Sequence, residues 1–304
     1  MSKKVLAIYF TQSGQMGDII ESFTSTIAGS DVVVEKVRIY PETSFDFPWT
    51  GKRFFSVMPD CVLGRPRPLQ PYILNEQQYD LVILAYQPWF LSPSIPISSL
   101  LQDDKFKAVI KDTPVVTISA GRNMWLNAFD KIKKLLADAG ANHVGNVALV
   151  DRHSNPISFV TIFYWMLSGK KERYLNIFPK PGVSDQDIAI TAEYGKSVAR
   201  YLASGNWDGL QNQLVGQGAV RIKYPLMVIE GKAKYIFMAW AKVISKRKNQ
   251  LPWTEAFKYY LFIALFIGAP ILLTLDTIFV RPFSSKRIKN KTLHFLLLNR
   301  SYDS

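Results

Sequence analysis

A chain of 304 residues, 48% hydrophobic and 13% aromatic, has room for one full domain and an extension, and its composition excludes intrinsic disorder. The formal net charge of +13 is uneven: residues 1–150 hold 15 Lys and Arg against 14 Asp and Glu, whereas residues 151–304 hold 22 against 10. The single cysteine, Cys61, excludes an intrachain disulfide, argues against a cysteine-based zinc site, and fits a reducing compartment with no metal centre.

The basic lead MSKK runs straight into a strand-like segment, without the apolar region of a secretory signal, so the first domain is expected to be cytoplasmic. Lys4–Phe10 is a β-branched and aromatic run that predicts a strand buried on both faces. A polar turn, Thr11–Asp18, leads into Ile19–Ile27, whose apolar residues recur at helical spacing. Val32–Val37, Leu81–Tyr86, Val115–Ser119 and His143–Val150 supply four more strands, and Arg122–Ala139 is an amphipathic helix. Five strands alternating with helices predict an α/β fold: an open, five-stranded parallel sheet with helices on both faces and ligands beyond the strand carboxyl ends.

Pro41–Gln78 interrupts the pattern with six prolines and interleaved aromatics, Phe45, Phe47, Trp49, Phe54 and Phe55. Most of it should not be helical. It serves either as an irregular layer on one sheet face or as an aromatic lid near a ligand. Asp151–Lys171 predicts a polar loop and a strongly apolar helix, and Ser184–Ala203 a helix capped by Ser184. The first domain is expected to span residues 1–205.

Residues 206–304 form a basic helical appendage, a membrane anchor or a dimerisation element. Between Arg221 and Ser304 there are 15 basic and 4 acidic residues. Tyr259–Val280 is a 22-residue apolar run with one charge, Asp276, long enough to cross a hydrocarbon core of ~30 Å. Three features oppose a simple span: Gly268-Ala269-Pro270 at its centre should kink it or turn it back, basic clusters flank both ends, and Lys234–Lys248 upstream is basic and amphipathic. An anchor at the inner leaflet of the cytoplasmic membrane satisfies all three. A soluble core or homodimer element is the competing reading. Nucleic acid is not an expected partner, because the charges frame an apolar stretch and no base-reading motif is present.

Three loops fall where ligand chemistry is expected. In the first, Thr11, Gln12, Ser13, Gly14, Gln15 and Met16 stand between strand and helix, where hydroxyls and successive N–H groups can hold a phosphate without a lysine. This loop resembles the flavodoxin phosphate loop, departing at Met16, where a further hydroxyl is usual. In flavodoxin-like proteins the next two loops cradle the isoalloxazine of FMN. Here they hold Gln87, Pro88, Trp89 and Phe90, and Ser119, Ala120, Gly121, Arg122, Asn123 and Trp125. Trp89 is the first choice for stacking on the ring, with core packing as the alternative role for Trp89 and Trp125. Gly121 allows close backbone approach, and Arg122 or Asn123 can meet the flavin edge where charge develops.

The stretches DFPWTGKRFFSVMPDCVLG, LAYQPWFLSPSIPISSLL, SAGRNMWLNAFDKIKKLL and GNVALVDRHSNPISFVTIFYWMLSGKK resemble the DarA-type dialkylresorcinol condensing enzymes of bacterial dialkylresorcinol and flexirubin gene clusters. The resemblance covers nearly all of residues 1–205, and QPWFLSPSIP and RNMW are its most specific parts. It implies a role beside a ketosynthase in bacterial secondary metabolism, turning a lipophilic 2,5-dialkylcyclohexane-1,3-dione into the aromatic dialkylresorcinol. An FMN-dependent oxidoreductase, an aromatase, is consistent with that step: a base enolises the diketone and the flavin takes a hydride. Arg122, Asn123 and His153 are the candidate catalytic residues, with Arg122 stabilising the enolate and His153 as base; Tyr86 and Asp151 are no better supported. The competing functions are an NAD(P)H:quinone reductase-like flavoprotein and a non-catalytic accessory or electron-transfer protein. The near-neutral first half weighs against a carrier that docks through acidic surface.

Overall fold

In the computed structural model, which describes residues 2–298, the expected strands are β1 (Lys3–Tyr9), β2 (Val32–Arg38), β3 (Leu81–Tyr86), β6 (Pro114–Gly121) and β7 (Asn142–Val150). A two-residue hairpin, β4 (Pro88–Trp89) and β5 (Ser92–Pro93), follows β3. The sheet order is β2-β1-β3-β6-β7 and every neighbouring pair is parallel. Counting sheet strands alone, this is the flavodoxin-like order, with its switch point between β1 and β3. All six residues of β3 are buried, which requires helices on both faces.

One face carries α1 (Gln15–Thr24), α9 (Thr191–Ser204) and α10 (Leu210–Gly216); the other carries α4 (Ile95–Leu100), α5 (Asp104–Ile110) and α6 (Leu126–Asp138). The close approach of α1 and α9 depends on Gly195, where a Cβ would stand 1.9 Å from the Phe23 carbonyl oxygen. Ser184 accepts from the Asp187 N–H at 3.1 Å, as its capping role predicts, but the helix divides at Ile190 into α8 (Asp185–Ala189) and α9.

Most of the proline-rich insertion is non-helical, as expected, but it holds two short helices, α2 (Gly51–Ser56) and α3 (Met58–Leu63). Pro59 falls in the first turn of α3, where its missing N–H has no helical acceptor to lose, and Thr50 caps α2 through the Arg53 N–H. Phe45 and Trp49 are buried against Trp89, so the insertion is packed as a layer over the β3 loop.

The sheet core continues past Gly205, since Leu210, Leu214 and Ala219 lie in the same cluster as Val116 and Val147. After α7 (Asn155–Ser168), the C-terminal helices α11 (Tyr224–Ser245), α12 (Leu251–Phe283) and α13 (Ser285–Leu296) pack back onto this unit. Phe237 and Phe257 join Phe55, Met58 and Leu91 in one apolar cluster. His294 on α13 meets Asp130 on α6 at 2.8 Å. The helix α12 runs through Gly268-Ala269-Pro270 instead of kinking or turning back there. A π-helical turn, Ala264–Gly268, precedes Pro270 and has already moved the hydrogen-bond ladder out of α register, so the missing proline N–H is accommodated.

Candidate functional site

The loops after β1, β3 and β6 meet at the sheet edge around a cavity of about 430 Å³. Of the predicted site residues, Gln12, Ser13, Gln15, Met16, Gln87, Pro88, Trp89, Phe90, Ala120, Gly121 and Arg122 line it. Thr11, Gly14, Ser119, Asn123, Trp125 and His153 do not.

The first loop is shaped by its own threonine. Thr11 Oγ1 accepts from the N–H groups of Gly14 at 3.1 Å and Met16 at 3.3 Å, so this hydroxyl turns inward instead of toward a ligand. Gly14 has φ of +92°, and a Cβ there would meet no atom within 4 Å, so the loop borders open space. The Gly14 carbonyl takes the N–H groups of Gly17 and Asp18. That leaves the N–H groups of Ser13 and Gln15 without a protein acceptor among the described residues, at the positive end of α1. The Gln15 side chain is engaged by both the N–H and the carbonyl of Val183, and Gln12 ties the loop to the carbonyls of Phe45 and Asp46.

The second loop is held under backbone strain. Phe90 (φ 46°) and Leu91 (φ 60°) both occupy the left-handed region, the conformation of a tight primed hairpin turn that normally takes Asn or Gly. Packing overcomes the steric cost: Phe90 lies 4.7 Å from Phe54 and 6.4 Å from Phe257 between ring centroids, and Leu91 is buried beside Phe237. Trp89 is fixed edge-on to Phe10, Phe45 and Trp49 at 5.9, 5.1 and 5.5 Å. Gln87 Oε1, buried at the cavity, has no partner among the described residues.

In the third loop, a Cβ on Gly121 would fall 3.0 Å from Pro88 Cδ, so the glycine is needed for contact with the second loop. Arg122 is half-buried, sits over the Phe159 ring at 5.4 Å, and donates to the Asn155 carbonyl at 3.2 Å. Burial pulls its pKa down to about 10, which leaves it cationic at neutral pH. Beyond Arg122 the chain turns away: Asn123 and Trp125 are buried beside a separate cavity of about 170 Å³, where Trp125 packs on Phe129. His153 is 43% exposed, near Asp151 and outside both cavities. Ser119 is wholly buried beneath the loop.

The far wall belongs to the C-terminal half. Phe159, Phe163, Trp165 and Met166 of α7, Lys232, Ile236 and Phe237 of α11, and Tyr260, Leu265 and Leu272 of α12 complete the lining. Among the described residues, Lys232 is the only cation besides Arg122 on that lining. Neither it nor Tyr260 stands near a recognisable motif, so sequence reading had no signal for them. Behind the wall, Glu230 is 1% exposed and its carboxylate accepts from the N–H groups of Leu126 at 3.3 Å and Asn127 at 3.0 Å. It caps α6 from another part of the chain, immediately after the third loop. Burial raises its pKa to about 7 against these bonds.

No protein-family model and no curated protein matches the chain. Among solved structures it is similar to a flavoprotein in complex with FMN from Lactobacillus acidophilus, at 22% identity over 48% of this chain and 93% of that one, with a TM-score of 0.38. It is also similar to a flavodoxin from the domain Archaea, at 11% identity over 66% and 99%, TM-score 0.37. Oxidised flavodoxin 1 from Bacillus cereus gives 13% identity over 63% and 94%, TM-score 0.32. These likenesses bear on the fold alone.

Proposed function

We propose that the chain is an FMN-dependent oxidoreductase that aromatises a lipophilic 2,5-dialkylcyclohexane-1,3-dione to a dialkylresorcinol. The observation that carries this reading is the composite cavity: polar at the three strand-end loops, apolar along α7, α11 and α12. The residues present suit the cofactor. The open N–H groups of Ser13 and Gln15 suit a phosphate, the unpartnered Gln87 Oε1 suits a ring N–H, and Trp89 offers an aromatic wall.

When bound, FMN supplies a two-electron acceptor for the hydride that leaves the substrate ring. The chain supplies the rest. Arg122 and Lys232 hold positive charge at the cavity and stabilise the enolate oxygen that forms when a ring proton is removed. Phe159, Phe163, Phe237 and Leu265 exclude water and take the alkyl tails. Loss of one proton and one hydride balances the change from cyclohexanedione to resorcinol.

The test is the visible spectrum of the purified protein, acid release of its chromophore, and anaerobic addition of a dialkylcyclohexanedione. Flavin bleaching with appearance of the resorcinol is expected. A flavin that bleaches with NAD(P)H but not with the dione supports the quinone-reductase reading, and a colourless protein removes both.

A further inference from the structure

The helix α12 is apolar on two opposite sides. Its inner stripe is buried: Phe257 packs in the cluster of Phe55, Met58 and Leu91, and Leu265 and Ala269 line the cavity. Its outer stripe, Tyr259, Ile263, Ile267, Ile271, Leu275 and Ile278, recurs at helical spacing and is exposed, Ile271 at 55%. The inner contacts run along the whole length: Phe257 meets Phe55 at 6.3 Å, Phe266 meets Phe159 at 5.9 Å, and Asp276 accepts from the Tyr224 hydroxyl at 2.5 Å. A helix packed on one side against α2 at its start and α7 at its middle, and tied to α11 through Asp276, cannot be surrounded by lipid over the ~20 residues a crossing needs. Both ends carry exposed cations, Lys246, Arg247 and Lys248 before the helix and Arg281, Lys286 and Lys289 after it. Crossing would place these clusters on opposite sides of the membrane, whereas a helix lying flat brings both to the same layer of anionic headgroups.

We infer that α12 lies in the plane of one leaflet, its outer stripe among acyl chains and its flanking cations on anionic lipid, and that the cavity opens into that leaflet between α11 and α12. The opening is marked by Ile236, which lines the cavity together with Leu272 and is 39% exposed. A substrate with alkyl tails then enters the cavity laterally without crossing water. The entry route rests on the redox reading for its cargo; the docking geometry does not.

Site-directed nitroxide labels decide it. Cys61 is buried and its thiol is pushed up to about 12 by burial, so an added cysteine is labelled selectively. The full chain carrying Ile263→Cys, Ile271→Cys or Ile278→Cys is bound to vesicles of equal parts phosphatidylcholine and phosphatidylglycerol, and label depth is read from collisions with oxygen and a nickel chelate. These sites are about 22 Å apart from first to last along the axis. Equal, shallow depth within the acyl layer is expected, and so is the same depth for a label at Ile236→Cys. A depth that changes steadily from 263 to 278 overturns the in-plane geometry. Failure to bind vesicles, or labels shielded in a dimer of the chain, overturns the docking. A nickel-accessible label at 236 overturns the lateral entry. None of these readings depends on flavin being present, so they fail separately from the redox proposal.

Discussion

Replacing Glu230 with Gln isolates the contact by which α11 holds the third loop. In the folded protein burial lifts the Glu230 carboxyl from its ordinary value of 4.5 to about 7. The folded state therefore binds this proton more tightly than the unfolded chain, and protonation favours folding. The contribution is most favourable below about pH 4.5, is lost progressively as pH rises toward 7, and is level above. Each pH unit crossed between those two values removes about 1.4 kcal/mol, so the whole loss is about 3 kcal/mol. Glu230→Gln keeps the size and one acceptor oxygen for the Leu126 and Asn127 N–H groups, at a cost of ~1 kcal/mol for the bond that is not remade. Urea unfolding at a series of pH values should show the variant slightly less stable than wild type in acid, and more stable by about 2 kcal/mol above neutrality. A stability difference that stays constant with pH would refute the assignment of a strained, buried carboxylate at this cap.

Phe257→Ala removes the ring that backs the Phe90–Leu91 turn. It should cost ~3–5 kcal/mol in urea unfolding and release flavin from the folded protein, measured as chromophore per chain after gel filtration; full flavin retention would show that the turn holds itself. Arg122→Gln should leave flavin bound while slowing anaerobic flavin reduction by the dione by roughly 10²-fold or more. His153→Ala, outside the cavity, should leave that rate unchanged, and a loss matching that of Arg122→Gln would restore His153 as a base.

The sheet was legible because strand periodicity is local. Residues Leu81–Tyr86 form a run of apolar side chains that only a doubly covered strand can bury, and the structure places β3 over those same residues. Loops that follow such strands must collect at their carboxyl ends, so much of the cavity's polar rim, from Gln12 to Arg122, was nameable in advance. Helix limits were less exact: α6 begins at Leu126, since Arg122 and Asn123 are taken up in the loop and point to different cavities. The two helices of the insertion were missed because a proline forbids a helix only beyond its first turn, and where that turn begins depends on neighbours.

What the amino-acid order determined by itself was the parallel sheet, the position of its ligand-facing loops, and the presence of a basic, apolar C-terminal region. Only the tertiary structure decided that this region is a wall of the site. Side chains such as Lys232, Ile236 and Tyr260 reach the cavity through contacts more than a hundred residues from the strand loops they face, and pattern within a window carries no record of such contacts. The same holds for Phe90 and Leu91: their left-handed backbone is unfavourable locally and exists because Phe54, Phe237 and Phe257 pack against it.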